Sequence, residues 1–315
     1  TLYPMVQVNV INTGISGDNA PNGAMRLERD VLRYSPDLVV VGFALNDSGN
    51  GELGLVRYAD AIRSAENGDD AYIIFEHFCD GGEENELANH KGIMLWRNAN
   101  SASCESGMGW TGSDKSNFSG VSAYGRVGFA ESHDEERLIY KAKTWGAGSI
   151  AHSLNEQMQR AAMGAAFFFT VPGPKMIWQF GELGYDYSIE ENGRTGEKPL
   201  RWDYLNVPER RALYDAYAQL ITFRREHPQF FTSEADFAWK VSTSHWSTGR
   251  HISCVAGEEA FVVVGNPDTR EQAISVTFPI EGTWKNYFES AESYTGTTAT
   301  VTLGAGEYRL FLIEN

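Results

Sequence analysis

Two carboxylates stand where apolar runs give way to polar residues. Glu76 closes the run from Ala71 to Phe75 and is followed by His77; about fifty residues later, the segment Arg126 to Ala130 leads into Glu131, Ser132, His133 and Asp134. A pair of carboxylates at parallel strand ends is the minimum equipment for cleaving a glycosidic bond, one acting as a protonated acid and the other, ionised, facing the positive sugar ring. Glu76 suits the acid, because the preceding Ile73, Ile74 and Phe75 supply an apolar setting that favours the neutral carboxyl. Asp134 suits the ionised partner, with His133 beside it to hydrogen-bond sugar hydroxyls. A structural reading stands next to this one: both carboxylates would cap helices or pair with Arg97 and Arg137. Spacing alone leaves both readings open.

The elements that must position these groups alternate. Val6 to Ile11 reads as a strand followed by turn-rich residues, Gly23 to Tyr34 as an amphipathic helix, and Leu38 to Phe43 as a second strand. A helix over Val56 to Ala65 precedes Ala71 to Glu76. Gly92 to Trp96, Arg126 to Glu131 and Met176 to Gly181 are further short apolar runs, with a helix over Ser153 to Phe169 between the last two. Such alternation predicts an α/β fold, a mainly parallel sheet or barrel covered by helices. Pro208 to Arg225 reads as a helix with a proline start and a basic end. From about Asp236 short alternating segments follow, at Ala260 to Val264, Ala273 to Phe278, Thr298 to Leu303 and Tyr308 to Ile313. These predict an all-β terminal domain.

With 315 residues the chain can bury a substantial core in roughly two domains. A net charge of -16 opposes binding to nucleic acid, whose phosphates it would repel. Cys79, Cys104 and Cys254 lack metal-ligand or CxxC spacing and read as small buried residues. No apolar run reaches the ~20 residues of a membrane helix. No cofactor or metal is expected, and no charged, apolar leader opens the sequence at Thr1.

From about residue 58 onward the chain resembles the second half of an α-amylase-family glycoside hydrolase, family 13. The likeness rests on Tyr72 to Phe78, Gly92 to Trp96, Glu131 to Asp134 and Pro172 to Glu182, in the order of the family's fifth to eighth barrel strands, and on Asn192 to Trp202. It implies a partial or rearranged (β/α) barrel of about six parallel strands followed by a C-terminal antiparallel β-sandwich, with domains 1–57, 58–235 and 236–315. It also implies Glu76 as acid/base, Asp134 as transition-state stabiliser, and His133 and His77 at the sugar-binding subsite. An α-glucan is then the implied partner, and a periplasmic or cell-surface setting is implied as well. Trp96, Trp178 and Trp202 each have a stacking reading and a core reading; Glu182 has a site reading and a structural one. The calcium ligands common in the family lie in its first half, so none is expected here.

That first half should also carry the nucleophile, in a Gly-Phe-Arg-x-Asp strand. The nearest string, Gly42 to Asp47, has Ala44 in place of the Arg and Asn46 in place of the nucleophile, with Asp47 one residue late and so turned to the other face. The first 57 residues resemble instead the middle of an SGNH (GDSL-type) esterase, through Asn12 to Asp18, Ser35 to Gly42, and Asn46. That likeness implies Gly17 and Asn46 as oxyanion-hole groups, but no Gly-Asp-Ser nucleophile block or Asp-x-x-His block accompanies them. The expectation is a chimeric chain: an α-amylase-type retaining hydrolase impaired at its nucleophile, with a non-catalytic carbohydrate binder as the alternative and an esterase third.

Overall fold

The computed structural model describes residues 11–15, 18–36, 38–42, 56, 59–64, 72–77, 80–89, 93–111 and 125–314. The chain divides into two compact units, Thr1–Trp96 and Arg97–Asn315.

In the first unit, helix α1 (Ala20–Asp30) starts where the Asn19 side chain accepts the Asn22 N–H and Pro21 occupies the first turn. Arg26 braces the approach to it, donating to Asp18, Asp30 and the Thr13 carbonyl. Strands β1 (Leu38–Gly42), β2 (Tyr72–Glu76) and the start of β3 (Ile93–Asn98) pair in parallel, with Val40 opposite Ile74 and Ile74 opposite Met94. Ile73, Ile74 and Phe75 are all buried, so β2 is covered on both faces, which explains its unbroken apolar run. Leu27, Val39, Ile62, Leu87 and Ile93 complete this core. Helix α2 (Gly81–Ala88) is capped by Asp80, whose carboxylate accepts the Glu83 and Gly82 N–H groups and is thereby held below the usual carboxylate range.

The second unit carries β3 onward into α3 (Asn100–Met108), then β4 (Arg126–Phe129), α4 (Leu138–Trp145), α5 (Leu154–Phe169) and the short β5 (Lys175–Met176). β4 and β5 pair in parallel, Gly128 opposite Lys175. The apolar run expected to continue to Gly181 leaves the sheet after Met176, because Phe180 takes a left-handed backbone (φ 58°) and Gly181–Leu183 coils into a short 3-10 turn. Ser153 caps α5 by accepting the Glu156 N–H. Helix α6 (Pro208–Glu226) follows.

Six antiparallel strands complete the chain: β6 (Asp236–Lys240), β7 (Arg250–Ala256), β8 (Glu259–Gly265), β9 (Gln272–Asn286), β10 (Ser293–Leu303) and β11 (Tyr308–Glu314), in sheet order β10-β9-β11-β8-β7-β6. β6 and β7 were not among the strands expected from alternation. β9 is long enough to serve two neighbours, since its first half pairs with β10 while Thr283 to Asn286 also pair with β11. One face of β8 (Ala260, Val262, Val264) packs with Ile274, Val276, Phe278 and Trp284 of β9; the other (Phe261, Val263) packs with Phe167 to Phe169 of α5 and with Leu220 and Phe223 of α6. Burial from two sides accounts for the apolar end of α5.

The architecture is thus a partial (β/α) barrel with five parallel strands among the described residues, followed by an antiparallel β-sandwich. The sixth expected strand, Val6 to Ile11, falls almost wholly outside the described residues. Cys104 and Cys254 are buried free thiols, each pushed up to about 12 by burial; Cys79 lies outside the described residues. No described helix is long and apolar enough to cross a membrane.

Candidate active site

The connection from β4 to α4, residues 130–137, carries four carboxylates, and three of them serve structure. Glu131, 8% exposed, accepts the Leu138 N–H at 2.7 Å, so it caps α4, and its other oxygen lies 3.1 Å from the Arg137 guanidinium. Arg137 also donates to the Gln179 carbonyl and lies over the Tyr185 ring. Glu135 accepts hydrogen bonds from Ser132 and from Asn98. Glu136 accepts from the Ser188 hydroxyl at 2.7 Å and from the Ile189 N–H at 3.0 Å. Buried Asn100 spans the connection, donating to the Ala130 and Glu136 carbonyls. Arg137 therefore pairs with Glu131, and Asp134 is the carboxylate left facing outward.

Asp134 sits in a tight turn in which its N–H donates to the Ser132 hydroxyl at 3.1 Å. One carboxylate oxygen lies 3.3 Å from His133 Nε2, and the other accepts from Arg194 at 3.3 Å. The His133 ring is 6.1 Å from the Trp178 ring, tilted by 50°. These groups line a cleft of about 430 Å³ with Gln179, Tyr185, Tyr187 and the segment 194–198. Tyr185 donates to the Pro199 carbonyl, and Tyr187 accepts from Arg201, so both rings are fixed. Such a cleft offers a carboxylate, an imidazole and aromatic faces to a neutral, polyhydroxylated ligand.

Of the two expected site residues of the first unit on β2 and just after it, Glu76 is half-buried at the strand's end, level with Gly42 on β1. His77 is almost fully buried, with Nε2 2.8 Å from Glu83 on α2, which gives it a structural task. Trp96 is half-buried on β3, one residue beyond Leu95, which pairs with Phe75. Gly17, Asn46 and Asp47 lie outside the described residues. Trp202 does not line the cleft; it is 64% exposed and meets Phe180 edge-on at 4.8 Å. Glu182 is half-buried, and burial pushes its carboxyl above the usual range, with the Arg137 guanidinium opposing the shift.

Sequence reasoning assigned no role to Arg194, Lys198, Tyr185 or Tyr187. The available signal was a polar, glycine-containing loop, Asn192 to Lys198, between two ordered segments, the kind of loop that a rigid scaffold uses to carry function.

No family model and no curated protein matches the chain. Solved structures do match it. A pullulanase from Bacillus acidopullulyticus aligns over 93% of this chain and 40% of its own, with a TM-score of 0.65 and 14% identity. An Anoxybacillus α-amylase aligns over 93% and 63%, with a TM-score of 0.67 and 14% identity. AmyP, crystallised in complex with maltose, aligns over 94% and 67%, with a TM-score of 0.66 and 12% identity. At these identities the likeness is one of fold, and the chain spans less than two thirds of the first two structures. An alignment over 93% of the chain extends into the first 57 residues.

Proposed function

We propose that the cleft at the end of β4 binds an α-linked glucan and that the chain is built as an α-amylase-type retaining glycoside hydrolase. The supporting observation is the cluster of Asp134, His133 and Trp178 at the carboxyl end of a parallel strand, the end at which (β/α) barrels carry their sites. In the retaining scheme Glu76 gives its proton to the leaving glycosidic oxygen, a second carboxylate attacks the anomeric carbon, and Asp134 stabilises the oxocarbenium-like transition state. By sequence likeness alone, Asn46 stands at the attacking position with Asp47 one residue late, and Asn46 is an amide without nucleophilic oxygen charge. We therefore expect glucan binding with weak or no turnover.

A second reading, a non-catalytic carbohydrate binder, draws on the same cleft. AmyP has been crystallised with maltose and, as a variant, with maltotriose, which makes maltotriose a suitable probe. Titration of the chain with maltotriose should give saturable binding, and Asp134→Asn should weaken it roughly tenfold, the scale of a solvent-accessible charged hydrogen bond. Reducing-sugar release from starch separates hydrolase from binder. Absence of maltotriose binding would refute both, and hydrolysis of p-nitrophenyl acetate would restore the esterase reading of residues 1–57.

A further inference from the structure

The loop that rims the cleft is organised around a cation that the chain itself supplies. Lys198 Nζ donates to the backbone carbonyls of Gly193 at 2.7 Å, Glu191 at 2.8 Å and Gly196 at 3.0 Å, with Arg194 O at 3.4 Å. Four carbonyl dipoles converge on one ammonium, an arrangement that is repulsive without a positive charge at its centre. The backbone turns sharply to achieve it. Asn192 and Gly193 both take left-handed conformations (φ 56° and 78°), and a Cβ on Gly196 would come within 1.9 Å of the Asn192 carbonyl oxygen. Asn192 closes the loop by donating to the Glu197 carbonyl at 2.9 Å.

Arg194 projects from this loop to Asp134. Its Nη2 donates to the Asp134 backbone carbonyl at 2.8 Å and reaches the carboxylate at 3.3 Å. The shorter bond is to the main chain, so the guanidinium fixes where the Asp134 turn sits more than it neutralises the side chain. Both side chains are about half exposed, and a solvent-screened ion pair alone would contribute little. At its other end the loop is tied to the same β4–α4 connection through Glu136 and Ile189.

We propose that Lys198 is the internal cation of a cleft loop, and that through Arg194 it positions Asp134 for a sugar ring. Lys198 and Arg194 are positioning residues in this scheme, and the inference rests on the glucan-binding reading of the cleft. It implies an order of dependence: loss of Lys198 loosens both the loop and the Asp134 turn, whereas loss of Arg194 loosens the turn and leaves the loop formed.

Hydrogen–deuterium exchange on the full chain tests that order without any ligand. Lys198→Ala should speed exchange in both 189–196 and 132–135; Arg194→Gln should speed it in 132–135 only. Methylammonium, which restores a cation at the vacated centre, should return Lys198→Ala towards wild-type exchange in a saturable way and leave Arg194→Gln unchanged. Arg194→Lys, which keeps the charge but lacks the fork, should behave like Arg194→Gln. Maltotriose affinity should fall about tenfold in Lys198→Ala, recover with methylammonium, and fall in both Arg194 variants. The inference is overturned if Lys198→Ala leaves 189–196 protected, if methylammonium has no effect on it, or if Arg194→Gln leaves 132–135 unchanged. Should wild-type chain fail to bind maltotriose, the glucan reading falls, and the exchange data still decide whether Lys198 and Arg194 hold the Asp134 turn.

Discussion

Removing Arg137 should collapse the floor of the cleft. Its side chain is 3% exposed, its Nη2 is 3.1 Å from Glu131, it donates to the Gln179 carbonyl, and it lies 4.7 Å from the Tyr185 ring centre. Arg137→Met strands the Glu131 carboxylate in a site with about 9% side-chain exposure, and loss of one member of a buried pair costs ~3–5 kcal/mol. Glu131→Gln is milder, about 1–2 kcal/mol, because the amide oxygen still accepts the Leu138 N–H at the start of α4. Glu131→Leu with Arg137→Met removes both charges together and should recover much of the loss, giving a coupling energy of ~2–4 kcal/mol. Urea unfolding of Arg137→Met, Glu131→Leu and the double variant, followed by circular dichroism, measures the cycle. Additivity within about 0.5 kcal/mol would refute the claim that these side chains act as a buried pair.

Glu182 carries a pH signature. Its folded carboxyl is raised above the ordinary 4.5, so the native state holds its proton more tightly than the unfolded state does; its stabilising contribution is complete below 4.5 and is lost as pH rises through the folded value. Glu182→Gln should accordingly abolish that decline, and thermal melts of both proteins from pH 4 to pH 8 will show it; parallel curves would exclude it. Arg160, on α5, donates to the carbonyls of Ser106, Gly107, Pro267 and Asp268, and although burial lowers it to about 10 it stays charged at neutral pH. Arg160→Met leaves these acceptors without their donor and should cost ~3–5 kcal/mol in urea unfolding, with faster amide exchange around 266–269. Gly265→Ala would place a Cβ 2.6 Å from the Phe167 ring, an overpacking that should cost about 1–3 kcal/mol by the same measurement.

The alternation of apolar runs was enough to anticipate the α/β class, β2, β4, α5, α6 and the strands from β8 to β11, because period and apolar content follow directly from how many faces of an element are buried. It was not enough for β7, where Arg250, His251 and Ser253 interrupt the pattern although Arg250 is wholly buried against Ser106. Nor could it foresee the short β5, which ends at Met176, four residues before Phe180 turns left-handed. His133 and Asp134 were legible as chemistry from residue type and from their place after an apolar run. Their setting was not. Local sequence offers four carboxylates between Glu131 and Glu136 with no way to rank them, since Glu131 is spent on a helix cap and on Arg137, and Glu136 on residues more than fifty positions away. Only tertiary structure brings Arg194, sixty residues downstream, onto Asp134 and gathers four carbonyls around Lys198. Sequence by itself determined which residues can carry charge, proton or ring; which of them face the cleft depended on long-range hydrogen bonds that no local pattern encodes.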